Sequence, residues 1–340
     1  MITKPNDVVY CGVRREKINS SKPILDKNKF RLLVSFIKER YKIHLRKDIS
    51  KREPPFTKDV ILREFRFTNV RREHDRETLW LINNITSNDE LCYEDKLLNC
   101  ILFRLFNKHK TSELINMPIP FLEEQIDNFD VESYREVFES KSVEDPKYIF
   151  FTGAFNTGGM KRALKWYLPE GQEEDSMCMR VMKFMVYLVK DKVHEKIKLC
   201  NNQEEVYELL RDYMGIGDFL AYQMFVDMTY IEEFPFSENE FTIAGPGCKK
   251  GLNELFKDRD GLSYEECLFW LRDNWKKLNI SLLEKEHRLN PKNLMVDLPE
   301  EDRVMNVMSL ENCFCEFSKY IRAFEERGRP RKKYVYKGEV

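Results

Sequence analysis

Apolar residues recur at the spacing of an α-helix along most of this chain. Residues 28–45 place Phe30, Leu33 and Ile37 on one face, which is the pattern of an amphipathic helix. Similar stripes occupy the later segments 78–85, 91–109, 176–199, 263–278 and 298–326. The pattern predicts a mainly α fold, with residues 148–151 as a short strand or a buried extended segment.

Residues 206–228 combine two helical stripes with a glycine turn. Apolar residues at helical spacing stand on both sides of Gly215-Ile216-Gly217. Gly215 and Gly217 can adopt backbone angles that other residues avoid, and their turn directs free N–H groups outward at the start of a helix, a geometry that holds phosphate. The segment therefore predicts a helix-hairpin-helix, which grips a nucleic-acid backbone without reading its sequence. A plain turn between two helices is the alternative.

A second glycine-rich turn, GPGCKKG, opens another predicted helix. Lys249 and Lys250 fall in its first turn, where they oppose the helix dipole unless an anion offsets the conflict. We therefore predict phosphate binding here, by Gly245, Gly247, Lys249, Lys250 and Gly251. A turn without a ligand is again the alternative.

The segment RFTNVRREHDR crowds charged side chains around apolar ones. Arginine is suited to bidentate phosphate contact. Two acids two residues apart cannot share a helix face, so we expect one to orient an arginine and the other to meet substrate. The candidates are Asn69, Arg71 and Arg72 for phosphate or DNA, and Glu73 and Asp75 for catalysis. A solvated surface is the alternative.

Composition excludes several classes of protein. The 340 residues carry a formal net charge of −1 and are 42% hydrophobic, which is typical of a soluble globular protein. Nine scattered cysteines without a CxxC pair, and only five histidines, predict free thiols in a reducing compartment, no metal and no cofactor. No apolar run predicts a membrane span or a signal peptide, and the GxxxxGK[ST] pattern of a nucleotide-hydrolysing P-loop is absent.

Charge is distributed unevenly along the chain. Basic residues outnumber acidic ones in residues 46–76 and 317–340, which indicates a local anionic partner. The carboxyl-terminal stretch contributes Lys319, Arg329 and Arg331 as candidate DNA contacts. Its basic tail is suited to lie along a nucleic-acid backbone, with a solvated tail as the alternative.

Three segments carry a resemblance to a known family: residues 52–81, 215–256 and 311–334. The motifs RFTNVRREHD and GPGCKKGL are the specific ones. Together they resemble the helical domain of 5-hydroxymethyluracil DNA kinases and the associated α-glutamyl/putrescinyl-thymine pyrophosphorylases, also called amino acid:DNA transferases. This family occurs in phages, bacteria and some eukaryotes and is related to helix-hairpin-helix DNA glycosylases. The resemblance spans roughly residues 30–334.

The resemblance implies a mainly α, helix-hairpin-helix DNA glycosylase-like fold, with two helical lobes around a cleft for DNA. We accordingly expect an amino-terminal arm at residues 1–27, a helical glycosylase-like domain at 28–326 and a basic tail at 327–340. The protein would lie in the host cytoplasm if it comes from a phage or bacterium, and in the nucleus if it is eukaryotic.

The implied chemistry acts on a modified thymine in DNA. A transferase of this kind lets an amine, from an amino acid or a polyamine, displace the phosphate or pyrophosphate of a phosphorylated 5-hydroxymethyluracil. The site must hold the flipped base, stabilise the departing phosphate and accept a proton from the amine. Lys249 and Lys250 suit the phosphate, and Asp227 or Glu73 suits the proton transfer. Arg71 and Arg72 suit either the phosphate or an amino-acid carboxylate.

Two other functions remain open from the sequence. Helix-hairpin-helix glycosylases carry an aspartate about 20 residues beyond the second hairpin glycine, whereas Glu238 and Glu240 stand in that neighbourhood here. Asp227 stands within the second hairpin helix instead, which argues against base excision of a modified thymine. The other possibility is a non-catalytic DNA-binding module that works with a separate DNA kinase.

Overall fold

The computed structural model describes residues 9–10, 13–122, 129–152, 157–168, 175–285, 305–330 and 332–334, and these are mainly helical, as predicted. The helices are α1 (Arg15–Ser20), α2 (Lys27–His44), α3 (Val60–Glu64), α4 (Arg76–Leu81), α5 (Tyr93–Phe106), α6 (His109–Leu114), α7 (Ser133–Glu144), α8 (Thr157–Ala163), α9 (Met177–Lys190), α10 (Val193–Lys198), α11 (Gln203–Arg211), α12 (Asp218–Met228), α13 (Pro246–Leu255), α14 (Tyr264–Lys285) and α15 (Val307–Phe324). The strands β1 (Val9–Tyr10), β2 (Val13–Arg14), β3 (Ile24–Leu25) and β4 (Phe256–Asp258) pair antiparallel as β1–β2 and β3–β4.

The chain divides into two compact units. Unit 1 comprises Met1–Asp75 and Glu238–Val340, and unit 2 comprises Arg76–Ser237. None of the helices formed by the described residues combines the length and the apolar character needed to cross a membrane.

Unit 1 is built around α2, α13, α14 and α15. The Asp26 carboxylate caps α2 by accepting the Asn28 and Lys29 N–H groups, and the Asn306 side chain caps α15. Both helices direct an apolar face into one core, which contains Leu33, Leu252 and Phe317 among many others. This core fixes the positions of the loops that carry the polar side chains considered below.

The described part of the predicted amino-terminal arm is also folded onto unit 1. Ile18 of α1 is buried in the core, and Lys17 forms an ion pair with Glu266 at 2.6 Å. Beyond it, β3 pairs with β4. Residues 13–27 thus contribute to the packing of this unit.

Unit 2 contains the predicted glycine turn between α11 and α12. Helix α12 packs on α5, which is buried from Asp95 to Phe106. Gly215 has a φ of +102°, in the left-handed region that favours glycine. The pair of helices and the turn match the sequence prediction, while DNA binding by this hairpin stays a prediction.

Two local predictions differ from the structure. Residues 148–151 form no strand, and Ile149 is exposed. The carbonyls of Ile149 and Phe150 accept hydrogen bonds from the Lys108 and Thr111 side chains instead of from a neighbouring strand. The helix predicted over 176–199 is divided into α9 and α10 at Lys192, whose φ is +57°.

Candidate functional site

Residues 69–75, a densely charged segment of unit 1, form a loop whose two ends are joined by hydrogen bonds. The Asn69 backbone N–H donates to Asp75 Oδ1 at 2.8 Å, and its side-chain Nδ2 donates to the His74 carbonyl at 2.7 Å. Buried Phe67 and Val70 anchor the segment in the core. The loop therefore presents its charged side chains from a fixed backbone.

Neighbouring helices hold the same loop from outside. Arg40 of α2 donates from Nε to the Thr68 carbonyl at 2.9 Å, and Asn312 of α15 donates from Nδ2 to the Asn69 carbonyl at 2.9 Å. Side chains thereby bind backbone carbonyls that belong to no helix or strand. This arrangement pre-organises the loop.

Arg71 and Glu73 form an ion pair within the loop, with Nη1 and Oε1 at 2.9 Å. Each side chain is 23% exposed, so the pair is open to a ligand at one side. Within the described residues, Glu73 Oε2 and Asn69 Oδ1 are buried acceptor atoms without a hydrogen-bond partner. Such atoms are costly unless a ligand or water satisfies them.

Three carboxyl groups of raised pKa interact electrostatically with Arg72. Burial raises the pKa of Asp75 to about 6, and burial raises the pKa of Glu238 to about 7, with the Glu73 charge adding to the effect. Burial likewise raises the pKa of Glu311 to about 7. In all three cases the Arg72 guanidinium acts in the opposite direction and lowers the pKa, so Arg72 lies within electrostatic reach of each group.

The two glutamates come from parts of the chain far from the loop. Glu238 begins the segment that leads to α13, and its Oε1 accepts a hydrogen bond from Asn306 Nδ2. Glu311 lies on α15, and its Oε1 accepts the Gly245 N–H at 3.1 Å. A carboxylate of the chain thus already binds the first N–H of the GPGCKKG turn, where we predicted a phosphate.

The other glycines of this turn allow two helices to pack closely. A Cβ atom at Gly247 would lie 2.5 Å from Cys315 Sγ, and one at Gly251 would lie 2.3 Å from the Phe314 carbonyl oxygen. Both partners belong to α15, on which α13 packs. The structure gives these glycines a packing role, and phosphate binding by them stays a prediction.

The remaining basic candidates of unit 1 lie mostly at the surface. Lys249 and Lys250 are exposed, and Lys249 Nζ lies 5.6 Å from the ring centroid of Tyr264. Lys319 is half-buried and forms an ion pair with Glu316 at 2.5 Å. Arg329 is exposed, and Arg331 lies outside the described residues.

The candidate residues of unit 2 belong to the hairpin itself. Asp227 is fully buried, and both of its carboxylate oxygens accept hydrogen bonds from Arg104, one from Nε at 2.6 Å. A Cβ atom at Gly215 would lie 2.9 Å from Leu164, whereas the space around Gly217, the N-cap of α12, is open. The ion pair favours a structural role for Asp227, and its predicted role in catalysis stays untested.

Sequence reasoning missed Arg40 and Glu311 as members of the site and treated Glu238 only as a departure from glycosylases. Glu311 offered a signal, because it is a carboxylate between Leu310 and Phe314 in the apolar stripe of a predicted helix. Arg40 offered none, since it stands within an ordinary amphipathic pattern.

The assembled side chains suit proton transfer next to an anion. A carboxyl group whose pKa lies near neutrality can accept and return a proton, and arginine side chains contact phosphate or carboxylate groups. Within the described ranges, no three histidine, cysteine or acidic side chains are grouped so that they could hold a metal ion.

Comparison with known proteins relates this chain to a family named for a DNA kinase. The chain is 26% identical over 312 residues to the 5-hmdU DNA kinase of Bacillus phage SP10, an alignment that covers 87% of this chain and 46% of that kinase. The chain thus spans about half the length of this curated relative. No solved structure matches it. The family model "5-hmdU DNA kinase, helical domain" matches residues 27–329, so the chain belongs to the 5-hmdU DNA kinase helical-domain family.

Proposed function

We propose that this protein is a DNA-base-modifying transferase that replaces the phosphate or pyrophosphate on a phosphorylated 5-hydroxymethyluracil with an amine. The observation that carries the proposal is the fixed loop of residues 69–75, with its Arg71–Glu73 ion pair and its two buried acceptors without a hydrogen-bond partner among the described residues. Asp75, Glu238 and Glu311, whose pKa values are raised, lie within electrostatic reach of Arg72 in the same unit. Membership in the 5-hmdU DNA kinase helical-domain family supports modified uracil in DNA as the substrate class.

The proposed reaction needs one proton acceptor and one cation. A primary ammonium group first gives a proton to a carboxylate, for which Glu238 is suited because burial raises its pKa to about 7. The nitrogen lone pair then forms a bond to the methylene carbon at position 5 of the base. The bond from that carbon to the phosphate oxygen breaks, and its electron pair leaves with the phosphate.

Arginines next to the carboxyl groups suit the departing anion. Arg72 and Arg71 would contact the phosphate as its charge develops, and Arg71 is oriented by its ion pair with Glu73. The unpartnered acceptors Asn69 Oδ1 and Glu73 Oε2 suit the N–H groups of the incoming amine. The proposal leaves an amino acid or a polyamine as the donor of the amine, and the experiment below distinguishes them.

Product analysis separates the proposal from the two other functions. DNA that contains 5-hydroxymethyluracil, its phosphate or its pyrophosphate is incubated with the protein, amino acids and polyamines. The DNA is then digested to nucleosides for mass spectrometry. A deoxyuridine whose mass shows the methylene group at position 5 joined to the amine supports the transferase.

Two outcomes would contradict the proposal. A free base together with abasic sites would identify a glycosylase instead. Unchanged nucleosides from every DNA, despite tight DNA binding, would identify a binding module. In the latter case a separate DNA kinase becomes the expected partner.

A further inference from the structure

The short stretch that follows α15 returns to unit 1 and pairs with the stretch that follows α3. The Arg66 N–H donates to the Lys332 carbonyl at 3.0 Å, and the Tyr334 N–H donates to the Glu64 carbonyl at 2.9 Å. These two bonds make a short antiparallel pair. Part of the predicted basic tail is therefore fixed on the folded unit.

This pairing sets like charges against each other. Arg66 and Lys332 stand directly opposite, and side chains opposite in an antiparallel pair have Cβ atoms about 4.5–5.5 Å apart. Both are exposed, as is Lys333, which stands opposite Phe65. Lys47 extends the group, because its Nζ lies 5.4 Å from the ring centroid of Tyr334. We call Arg66, Lys332, Lys333 and Lys47 the basic ridge.

The basic ridge has no acidic partner within the described part of the chain. Among the described residues, no carboxylate oxygen lies within 4.0 Å of their charged nitrogens, and this includes the neighbouring Glu64. Other exposed cations of unit 1 do have such partners, as Lys257 has in Asp26 at 3.4 Å. Like charges placed directly opposite destabilise a strand pair, so the arrangement favours an external polyanion.

We propose that the basic ridge binds the phosphate backbone of the DNA substrate. The inference rests on DNA being the substrate, as in the proposed function, and adds the surface that holds it. Phosphates follow one another along a strand at regular intervals, and lysine and arginine side chains contact them without reading sequence. A group of cations held in place by paired backbone suits that partner.

The test compares two double variants of equal net charge. Arg66→Ala/Lys332→Ala removes the opposed pair of the ridge, and Lys257→Ala/Lys198→Ala removes two exposed cations that already have carboxylate partners and lie outside the basic stretches. The affinity of each protein for a fluorescently labelled DNA duplex is measured by anisotropy at NaCl concentrations from about 50 to 300 mM.

The ridge variant should bind about 25-fold more weakly near 0.15 M salt, with a slope of log Kd against log salt that is lower by about 2. Its thermal stability should be unchanged or higher, because a like-charge contact is removed. The control should bind as the wild type does.

Failures of the two proposals look different in this experiment. If the wild type binds DNA and the ridge variant keeps its affinity and salt slope, the ridge inference is wrong and the proposed function stands. If the wild type does not bind DNA at all, both are wrong. A ridge variant with lower affinity but an unchanged salt slope would also overturn the inference, since no phosphate contact would have been lost.

Discussion

Replacing Gly251 with alanine tests whether the GPGCKKG turn serves helix packing or ligand binding. The new Cβ atom would lie 2.3 Å from the Phe314 carbonyl oxygen and 3.0 Å from the carbonyl carbon. Real Cβ atoms do not approach other atoms within 3.0 Å, and the obstacle is backbone that cannot rotate away. Helices α13 and α15 would have to separate by about 0.7 Å.

The expected loss of stability follows from two opposing effects. Forcing a methyl group into a close-packed interface costs about 3 kcal/mol when backbone must move, whereas alanine is favoured over glycine within a helix by about 1 kcal/mol. We expect Gly251→Ala to lower the free energy of unfolding of unit 1 by about 2 kcal/mol. Gly159→Ala in α8 is the matched control, because nothing lies within 4 Å of its added Cβ, and it should gain up to about 1 kcal/mol.

The free energy of unfolding of both variants is measured by urea denaturation, followed by circular dichroism. A shift of the midpoint without a change of the m-value reports a change in stability. DNA affinity is measured on the same samples below the transition. If Gly251→Ala is as stable as the wild type but binds DNA poorly, the packing explanation is wrong and the phosphate prediction for this glycine gains support.

Two further predictions concern buried charges. The folded pKa of Glu311 lies above its ordinary value of 4.5, at about 7, so its stabilising contribution is fully present below pH 4.5 and is lost as the pH rises through 7. Glu311→Gln keeps an oxygen that accepts the Gly245 N–H. In urea denaturation this variant should lose the fall in stability between about pH 4.5 and 7. A pH–stability profile identical to that of the wild type would contradict the raised pKa of Glu311. Asp227→Ala should destabilise unit 2 by about 3–5 kcal/mol, because it leaves Arg104 buried without its partner. Loss of transferase activity without loss of stability, measured by thermal denaturation, would instead support the catalytic prediction.

Much of the fold follows from hydrophobic spacing alone. The predicted helix at 28–45 is α2, and the predicted hairpin is α11, a glycine turn and α12, because both stripes are long and strongly periodic. The break between α9 and α10 could not be predicted in this way. Lys192 adopts a left-handed conformation there, and a lysine carries no sequence signal for it.

The candidate site was only half visible from the sequence. Charge density and arginine chemistry indicated Asn69, Arg72 and Asp75, which lie in one continuous segment. Glu238 and Glu311 reach the same site through the packing of α15 and of the segment before α13, and a tertiary contact of this kind leaves no local pattern. The glycines of GPGCKKG show the opposite case, in which a sequence motif predicts a ligand. The motif is typical of phosphate binding, but in the structure Gly247 and Gly251 make a helix contact that only glycine allows.

The proposed transferase site is tested most directly by the yield of amine-containing nucleoside from phosphorylated 5-hydroxymethyluracil DNA. The comparison is between Glu238→Gln, which cannot accept the proton, and Asp258→Asn, which alters an exposed acid of β4 in the same unit. We expect the first variant to lose activity by about a hundredfold or more and the second to match the wild type. Equal yields from Glu238→Gln and the wild type would contradict the assignment of proton transfer to this site.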